Sequence, residues 1–359
     1  MNHCLVRLFV LLLLPVAAQT SFGWNYEGHH AVNELALSAL PTNFPIALTP
    51  AVRERVAFLA GEPDRWRSTP DLELQHAQEP EHFLDVEELA DCGLTPATLP
   101  LFRYDFVSLV AAARKEHPKK FPAGREDPAR KYCWVGLLPY AITENYSKLK
   151  AEFSYLKTFK AHGGTPDEIA SAEANIIYTM GVMGHYVGDG SQPLHTTKHH
   201  AGWVGENPNN YPTNSRFHGW IDGGYFKKLG GIKVETLVGK IHPAQHVGKD
   251  GQYEAFFRAT TDYILTANKL VEPIYILERD HKLSPSRDGS TTDPEGKAFM
   301  DARLVAGAQM LGDIWFTAWQ DANAMPDDKF LTDELAKRQL AKEVPKDSPA
   351  TNAPVKKTE

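Results

Sequence analysis

Apolar residues recur at three- and four-residue steps over long stretches of this chain. Ile169, Ala172, Ile176, Met180, Met183 and Val187 mark one stripe; Phe256, Ala259, Tyr263, Ala267, Leu270 and Val271 mark a second; Leu304, Ala308, Leu311 and Trp315 mark a third. That period matches the helical turn, so each stretch is expected to be an amphipathic helix with its stripe in a core. Alternating runs of Val, Ile and Thr, the signature of strands, are nearly absent. The expected fold class is all-α. With no internal repeat and no break in composition, it should be a single large multi-helix domain. Between the helices, residues 61 to 82, 117 to 130 and 196 to 215 are rich in Pro, Gly and Asn and read as long loops. Connections of that length in a compact domain are usually functional or disordered.

The two ends read differently. Arg7 precedes the apolar run LFVLLLLPVAA, which is too short and wrongly flanked for a membrane span, so residues 1–23 read as a signal peptide. Cleavage after Ala18 and cleavage after Gly23 both fit; the second makes Trp24 the mature N-terminus. The product is expected to be secreted or periplasmic, with no later membrane span. A catalytic domain is expected over 24–325, an exposed helix over 326–344 and a disordered tail over 345–359. Cys4 leaves with the signal peptide, and in an oxidising compartment Cys92 and Cys133 are expected to pair. The formal net charge of −7 argues against a protein that grips nucleic acid through a broad basic surface. It leaves room for an enzyme that meets phosphate only at a metal cluster.

The chemistry concentrates in GHYVGDGSQPLH, residues 184 to 195. His185 and Asp189 are four apart and share one helix face. Pro193 ends the helix, and His195 follows on a bend able to fold back toward them. FHGWID repeats the spacing with His218 and Asp222; EPDRWR adds Asp64 and Arg67, EPEHFLDVE adds His82 and Asp85, and WNYEGH adds His29. Taken singly these are a loop cap, half-buried histidines and surface ion pairs. As a set they are imidazole and carboxylate donors without cysteine, a mixture typical of catalytic rather than structural zinc.

In the order WNYEGH, PDRWR, EHFLDVE, HYVGDGSQPLH and HGWID, the chain resembles the zinc-dependent single-strand nuclease/3′-nucleotidase family, the fungal S-one and P-one nucleases and their plant relatives. The sister family is the bacterial zinc-dependent phospholipases C. The resemblance runs from Trp24 to about Ala324 and implies a phospholipase C/nuclease-type fold with long loops around a trinuclear zinc site. One zinc would be held by Asp64, His82, His185 and Asp189, and a second by His195, His218 and Asp222. The third would take His29, Asp189 as a bridge, and the amino group and carbonyl oxygen of Trp24, which favours cleavage before Trp24. The resemblance implies hydrolysis of single-stranded DNA or RNA, and of 3′-nucleotides, to 5′-nucleotides by a zinc-bound hydroxide. Asp64 and Asp189 would serve the metals, Arg67 the phosphate and Phe83 an unpaired base, while Asp85 would orient the water or contact the base.

The short WNYEGH spacing and the final HxxxD pair favour the nucleases, because the phospholipases have a longer first spacing and end in HxxxE. Zinc-dependent phospholipase C is the alternative. A catalytically inactive zinc-binding interaction protein is a third reading, against which the complete ligand set speaks. Loops 117–130 and 196–215 depart from the family pattern and leave substrate preference open. No obligate protein partner is evident. His30, His199 and His200 match no family position, and His242 with His246 reads as a solvated helix edge.

Overall fold

The computed structural model describes residues 24–118, 127–131, 134–249 and 251–343. In chain order the helices are α1 (Tyr26–Ala36), α2 (Pro50–Leu59), α3 (Glu62–Ser68), α4 (Leu72–Gln78), α5 (Arg103–Glu116), α6 (Leu138–His162), α7 (Pro166–Ser191), α8 (Phe217–Gly219), α9 (Tyr225–Lys228), α10 (Tyr253–Asn268), α11 (Val271–Arg279), α12 (Pro294–Ala324) and α13 (Lys329–Glu343). No strand occurs among the described residues, and the domain is all-α as its periodicity predicts. No helix among them is long and apolar enough to cross a membrane. The expected signal segment 1–23, the tail from 345 and Cys133, the expected partner of Cys92, lie outside the described residues.

Helix α7 runs through the middle and touches α1, α2, α6, α10 and α12. It begins at a capping box: the Thr165 hydroxyl accepts from the Glu168 amide, the Glu168 carboxylate accepts from the Thr165 amide, and Pro166 follows. It ends at Ser191, where Gln192 turns extended ahead of Pro193. Ile176, Met180, Met183 and Val187 are wholly buried, each such side chain contributing about 1.5–3 kcal/mol. That burial sustains a helix containing Gly181, Gly184, Gly188 and Gly190, each costing about 1 kcal/mol against alanine.

The glycines matter for the room they leave. A Cβ at 184 would sit 1.7 Å from Asn33 Oδ1, and one at 188 would sit 3.0 Å from His29 Nδ1. Helix α1 therefore crosses α7 at close range. Asn33 Nδ2 pins the crossing, donating to the Val56 carbonyl at 2.8 Å and the Gly181 carbonyl at 2.9 Å. His29 is thereby delivered against the His185–Asp189 face of α7.

Three expectations need correction. Residues 61 to 82 are not a loop: they form α3, α4 and a 3-10 turn over Glu79–His82. Helix α4 starts where Asp71 Oδ1 accepts from the Leu74 amide at 3.0 Å, and it buries none of its residues, so it leaves no apolar stripe to read. The second apolar stripe is broken, since α10 stops at Asn268 and α11 restarts at Val271. His242 and His246 lie on no helix; residues 241–249 form a strap along α12. Gln309, Asp313 and Thr317 of α12, one per turn, accept the amides of His242, Gln245 and Val247, and His246 Nε2 meets Asp321 at 2.7 Å. The stretch 196–215 does run without helix beyond Thr196. It folds around Trp203, stacked on His199 at 4.0 Å and tilted against Tyr211 at 4.6 Å.

Gly184→Ala should lower unfolding free energy by about 1–3 kcal/mol or more through overpacking, whereas Gly239→Ala, with nothing within 4 Å of the new methyl, should leave the melting temperature nearly unchanged. A second outcome concerns Glu152, which accepts from Thr179 Oγ1 across the α6–α7 contact at 2.8 Å. Burial pushes its carboxyl from 4.5 up to about 7. The folded chain then keeps a proton that the unfolded chain sheds, so this group costs stability as pH rises from 4.5 toward 7. Glu152→Gln should gain stability relative to the native chain between pH 5 and pH 8 in urea titrations.

Candidate metal centre

Six chain segments deliver the ligand-type side chains. His29 comes from α1, Asp64 from α3, His82 from the turn Glu79–His82, and His185 with Asp189 from the end of α7. His195 comes from the 3-10 turn Pro193–Thr196. His218 and Asp222 come from α8 and the one-turn π segment Trp220–Gly224 that continues it into α9. Three groups result: His29, His185 and Asp189; Asp64, His82 and His185; His195, His218 and Asp222. Within each group one donor atom per residue lies within 4.8 Å of the others, and every member is buried except the half-buried Asp64.

Asp189 ties the groups together. His82 Nδ1 lies 3.1 Å from its Oδ2, His185 Nε2 lies 3.3 Å from the same oxygen, and His29 Nε2 lies 3.4 Å from Oδ1. His195 Nδ1 is 3.5 Å from Oδ1. In the third group, Asp222 Oδ2 is 3.2 Å from His218 Nε2, and Asp222 Oδ1 accepts from Gln192 Nε2 at 2.6 Å.

Backbone carbonyls set two of the tautomers. His185 Nδ1 meets the Ala60 carbonyl at 2.7 Å, and His195 Nδ1 meets the His82 carbonyl at 2.7 Å. A carbonyl oxygen only accepts, so each Nδ1 carries the proton and each Nε2 presents a lone pair inward. These lone pairs face other nitrogens: His185 Nε2 is 2.8 Å from His82 Nδ1, and His195 Nε2 is 3.1 Å from His218 Nε2. His29 Nδ1 and Nε2, His82 Nε2, Asp189 Oδ1 and Asp222 Oδ2 are buried with no hydrogen-bond partner among the described residues. Buried polar atoms left in that condition cost about 1–3 kcal/mol each. A metal cation would satisfy these converging lone pairs and carboxylates together, so the residues fit a metal.

The electrostatics agree. Burial, and then the neighbouring His185, hold His29 down at about 4, and burial lowers His82, His195 and His218 as well. These four imidazoles are neutral near pH 7, the state a ligand requires. His185 differs: burial pulls its imidazole down, but Asp189 and Asp64 outweigh burial and raise it. For Asp189 burial pulls upward, but His195 and His185 win and hold it well below the carboxylate range. Burial also opposes ionisation of Asp64, yet Arg67 and His185 bring it to about 2. Asp222, by contrast, is raised by burial despite the bond from Gln192.

A cleft of about 190 Å³ opens onto this cluster, with His82, His195 and His218 on its wall. Arg67 and Phe83 line it, as does Asp85. Arg67 is buried, and its Nε and Nη2 both donate to Asp64 Oδ1, at 2.8 and 2.5 Å, while Nη1 lies 3.7 Å from Glu79. Phe83 is half-buried. Asp85 is buried, and its Oδ1 has no hydrogen-bond partner among the described residues. Burial, with Glu88 and Glu87 nearby, raises its carboxyl well above the usual range. Trp24 is the first described residue and is fully buried, its indole donating to the Gly188 carbonyl at 3.2 Å.

Sequence reading missed four residues here. Glu79, Trp134 and His200 also line the cleft, and Gln192 holds Asp222. Glu79 and Gln192 lie within the EPEHFLDVE and GHYVGDGSQPLH stretches without being ligand types at ligand spacing there, whereas the tertiary fold brings in Trp134 and His200. Trp134 reaches the wall through Gly136, whose φ of +100° lets residues 135–138 pack on the Phe83 backbone. A Cβ at 136 would lie 2.0 Å from the Phe83 carbonyl oxygen. No protein-family model, curated protein or solved structure matches this chain. The chemistry of the centre therefore rests on its own geometry.

Protein stripped with a chelator and then given zinc at a hundred times its dissociation constant should gain about 2.7 kcal/mol of stability. Asp189→Asn should sharply reduce that gain, because Asp189 stands between His29, His82, His185 and His195. Identical melting curves with and without metal would contradict the centre.

Proposed function

We propose that this protein is a zinc-dependent phosphodiesterase of the single-strand nuclease/3′-nucleotidase type, exported after removal of residues 1–23. It hydrolyses single-stranded DNA or RNA to 5′-nucleotides and acts on 3′-nucleotides. One observation carries the reading: three ligand groups, two of which share His185, adjoin a cleft lined by a buried arginine and an aromatic ring. Nitrogen and carboxylate donors without cysteine suit zinc in a catalytic role. The order of motifs, WNYEGH through HGWID, supports the family assignment. Burial of Trp24 beside Gly188, one residue from Asp189, supports a mature chain that begins at Trp24.

His29, Asp64, His82, His185, Asp189, His195, His218 and Asp222 would hold the ions, with Trp24 contributing through its terminus. Zinc, when bound, supplies Lewis acidity toward phosphoryl oxygens and acidifies water near neutral pH. Arg67 presents a guanidinium at the cleft wall that Asp64 and Glu79 hold in place, and it would meet a phosphate as a fixed positive charge with N–H donors. Phe83 offers a ring face on which an unpaired base stacks, worth about 1–3 kcal/mol per base whatever the sequence. A base inside a duplex has no free face to offer, which gives the single-strand preference. Asp85, whose carboxyl is pushed well above the usual range by burial and by Glu88 and Glu87, would offer a polar contact to the base or to the attacking water. The buried floor excludes bulk water from the ligand cluster.

Hydrolysis of denatured DNA by the secreted chain, with and without a chelator and beside phosphatidylcholine vesicles, tests the proposal. Chelator-sensitive release of 5′-nucleotides is the expected result. Phospholipid turnover without nucleic-acid cleavage would overturn the substrate while keeping the metals. Phe83→Ala should raise KM for single-stranded DNA about tenfold or more and spare bis(p-nitrophenyl) phosphate. Equal losses on both substrates would make the ring a packing residue.

A further inference from the structure

Asn25 makes contact with two of the ligand groups at once. Its side-chain Oδ1 accepts from the Gly28 amide at 3.1 Å and so caps α1, the helix carrying His29. Its own amide donates to the carbonyl oxygen of Asp222 at 2.9 Å. Its carboxamide lies flat on Gly223, the residue after that ligand, so closely that a Cβ at 223 would sit 2.1 Å from Asn25 Nδ2 and 2.4 Å from Cγ. The preceding residue, Trp24, is fixed to α7 through the Gly188 carbonyl. Two adjacent residues thus stitch together α1, α7 and the π segment.

Asp222 is clamped from both sides by this arrangement. Gln192 is wholly buried, and its amide orientation is settled by its partners: Nε2 donates to Asp222 Oδ1, while Oε1 accepts from the Leu194 amide at 2.6 Å. That leaves Asp222 Oδ2 as the oxygen facing His218. Gln192 fixes the carboxylate; the Asn25 amide fixes the main chain behind it.

We propose that Asn25 is a positioning residue for both the His29/His185/Asp189 group and the His195/His218/Asp222 group. It registers α1 against the π segment so that the two groups bind metal as one assembly. This rests on the metal reading given above. Outer partners that orient ligands in this way typically govern about 10- to 100-fold of metal affinity. An ordinary helix cap would affect α1 and the stability of the fold, and would leave the affinity at His195, His218 and Asp222 unmoved.

The test is zinc titration of the chelator-stripped protein against a chromophoric competitor. Asn25→Ala keeps the main-chain amide but removes the carboxamide that caps α1 and packs on Gly223, and should weaken zinc about 10- to 100-fold at both groups. Asn25→Asp, which keeps the capping oxygen and the planar side chain against Gly223, should restore it. Gly223→Ala attacks the same contact from the other element and should reproduce the Asn25→Ala result. In a His29→Ala background, where the first group has lost a ligand, Asn25→Ala should still weaken zinc at the remaining His195/His218/Asp222 group. A lowered melting temperature with unchanged affinity at that group would reduce Asn25 to a cap and overturn the proposal. A native chain that binds no zinc would overturn the metal reading itself, and the coupling with it.

Discussion

Asp189 is a fully buried carboxylate at the end of α7 with nitrogens of His29, His82, His185 and His195 all within 3.5 Å of its oxygens. Such a cluster is costly in a low-dielectric interior unless every lone pair finds a partner. The surrounding fold supplies part of that satisfaction with the Ala60 and His82 carbonyls and the Gln192 amide. It leaves buried atoms of His29, His82, Asp189 and Asp222 without a hydrogen bond among the described residues. A positive ion would complete the balance. The convergence of His29, His82, His185 and His195 follows from burying this carboxylate among histidines.

The rest of the architecture makes that burial feasible. A helix as rich in glycine as the C-terminal half of α7 is weak by intrinsic propensity, and its apolar stripe against α6 and α12 holds it. The bare glycine faces then admit Asn33 and His29 of α1 to within contact distance of the α7 backbone. The same helix thus provides two ligands and the space into which a third is delivered. Prolines and short turns bring His82 and His195 in from the side, with the Leu84 amide donating to the His195 carbonyl at 2.9 Å. The cleft is formed where those turns stop short of the helices.

How much of this the sequence discloses depends on how local each cause is. The stripes at Ile176–Val187 and Leu304–Trp315 are repeated local signals, and both lie in long buried helices. The spacing of His185 with Asp189 and of His218 with Asp222 places each pair on one face, and the structure brings the members of each pair to 3.3 and 3.2 Å. Helices α3 and α4 were hidden because seven residues with little or no buried face produce no periodicity. The strap at 241–249 was misread because its hydrogen bonds run to Gln309, Asp313 and Thr317, some 67 to 70 residues away. Glu79 and Gln192 sit inside the EPEHFLDVE and GHYVGDGSQPLH motifs, but their partners, Arg67 and Asp222, are supplied by other segments, and Trp134 reaches the cleft through tertiary contacts.

In the proposed function the cleft would bind substrate and the cluster would supply the chemistry. Arg67, Phe83 and Asp85 line the cleft together with His82, His195 and His218, while His29, His185 and Asp189 are buried behind it. Elemental analysis of the secreted chain, purified without chelators, reads the zinc-to-protein ratio directly. About three zinc ions per chain is the result expected from the three ligand groups; a folded chain carrying no stoichiometric metal would contradict the reading of the cluster on which the proposed function stands.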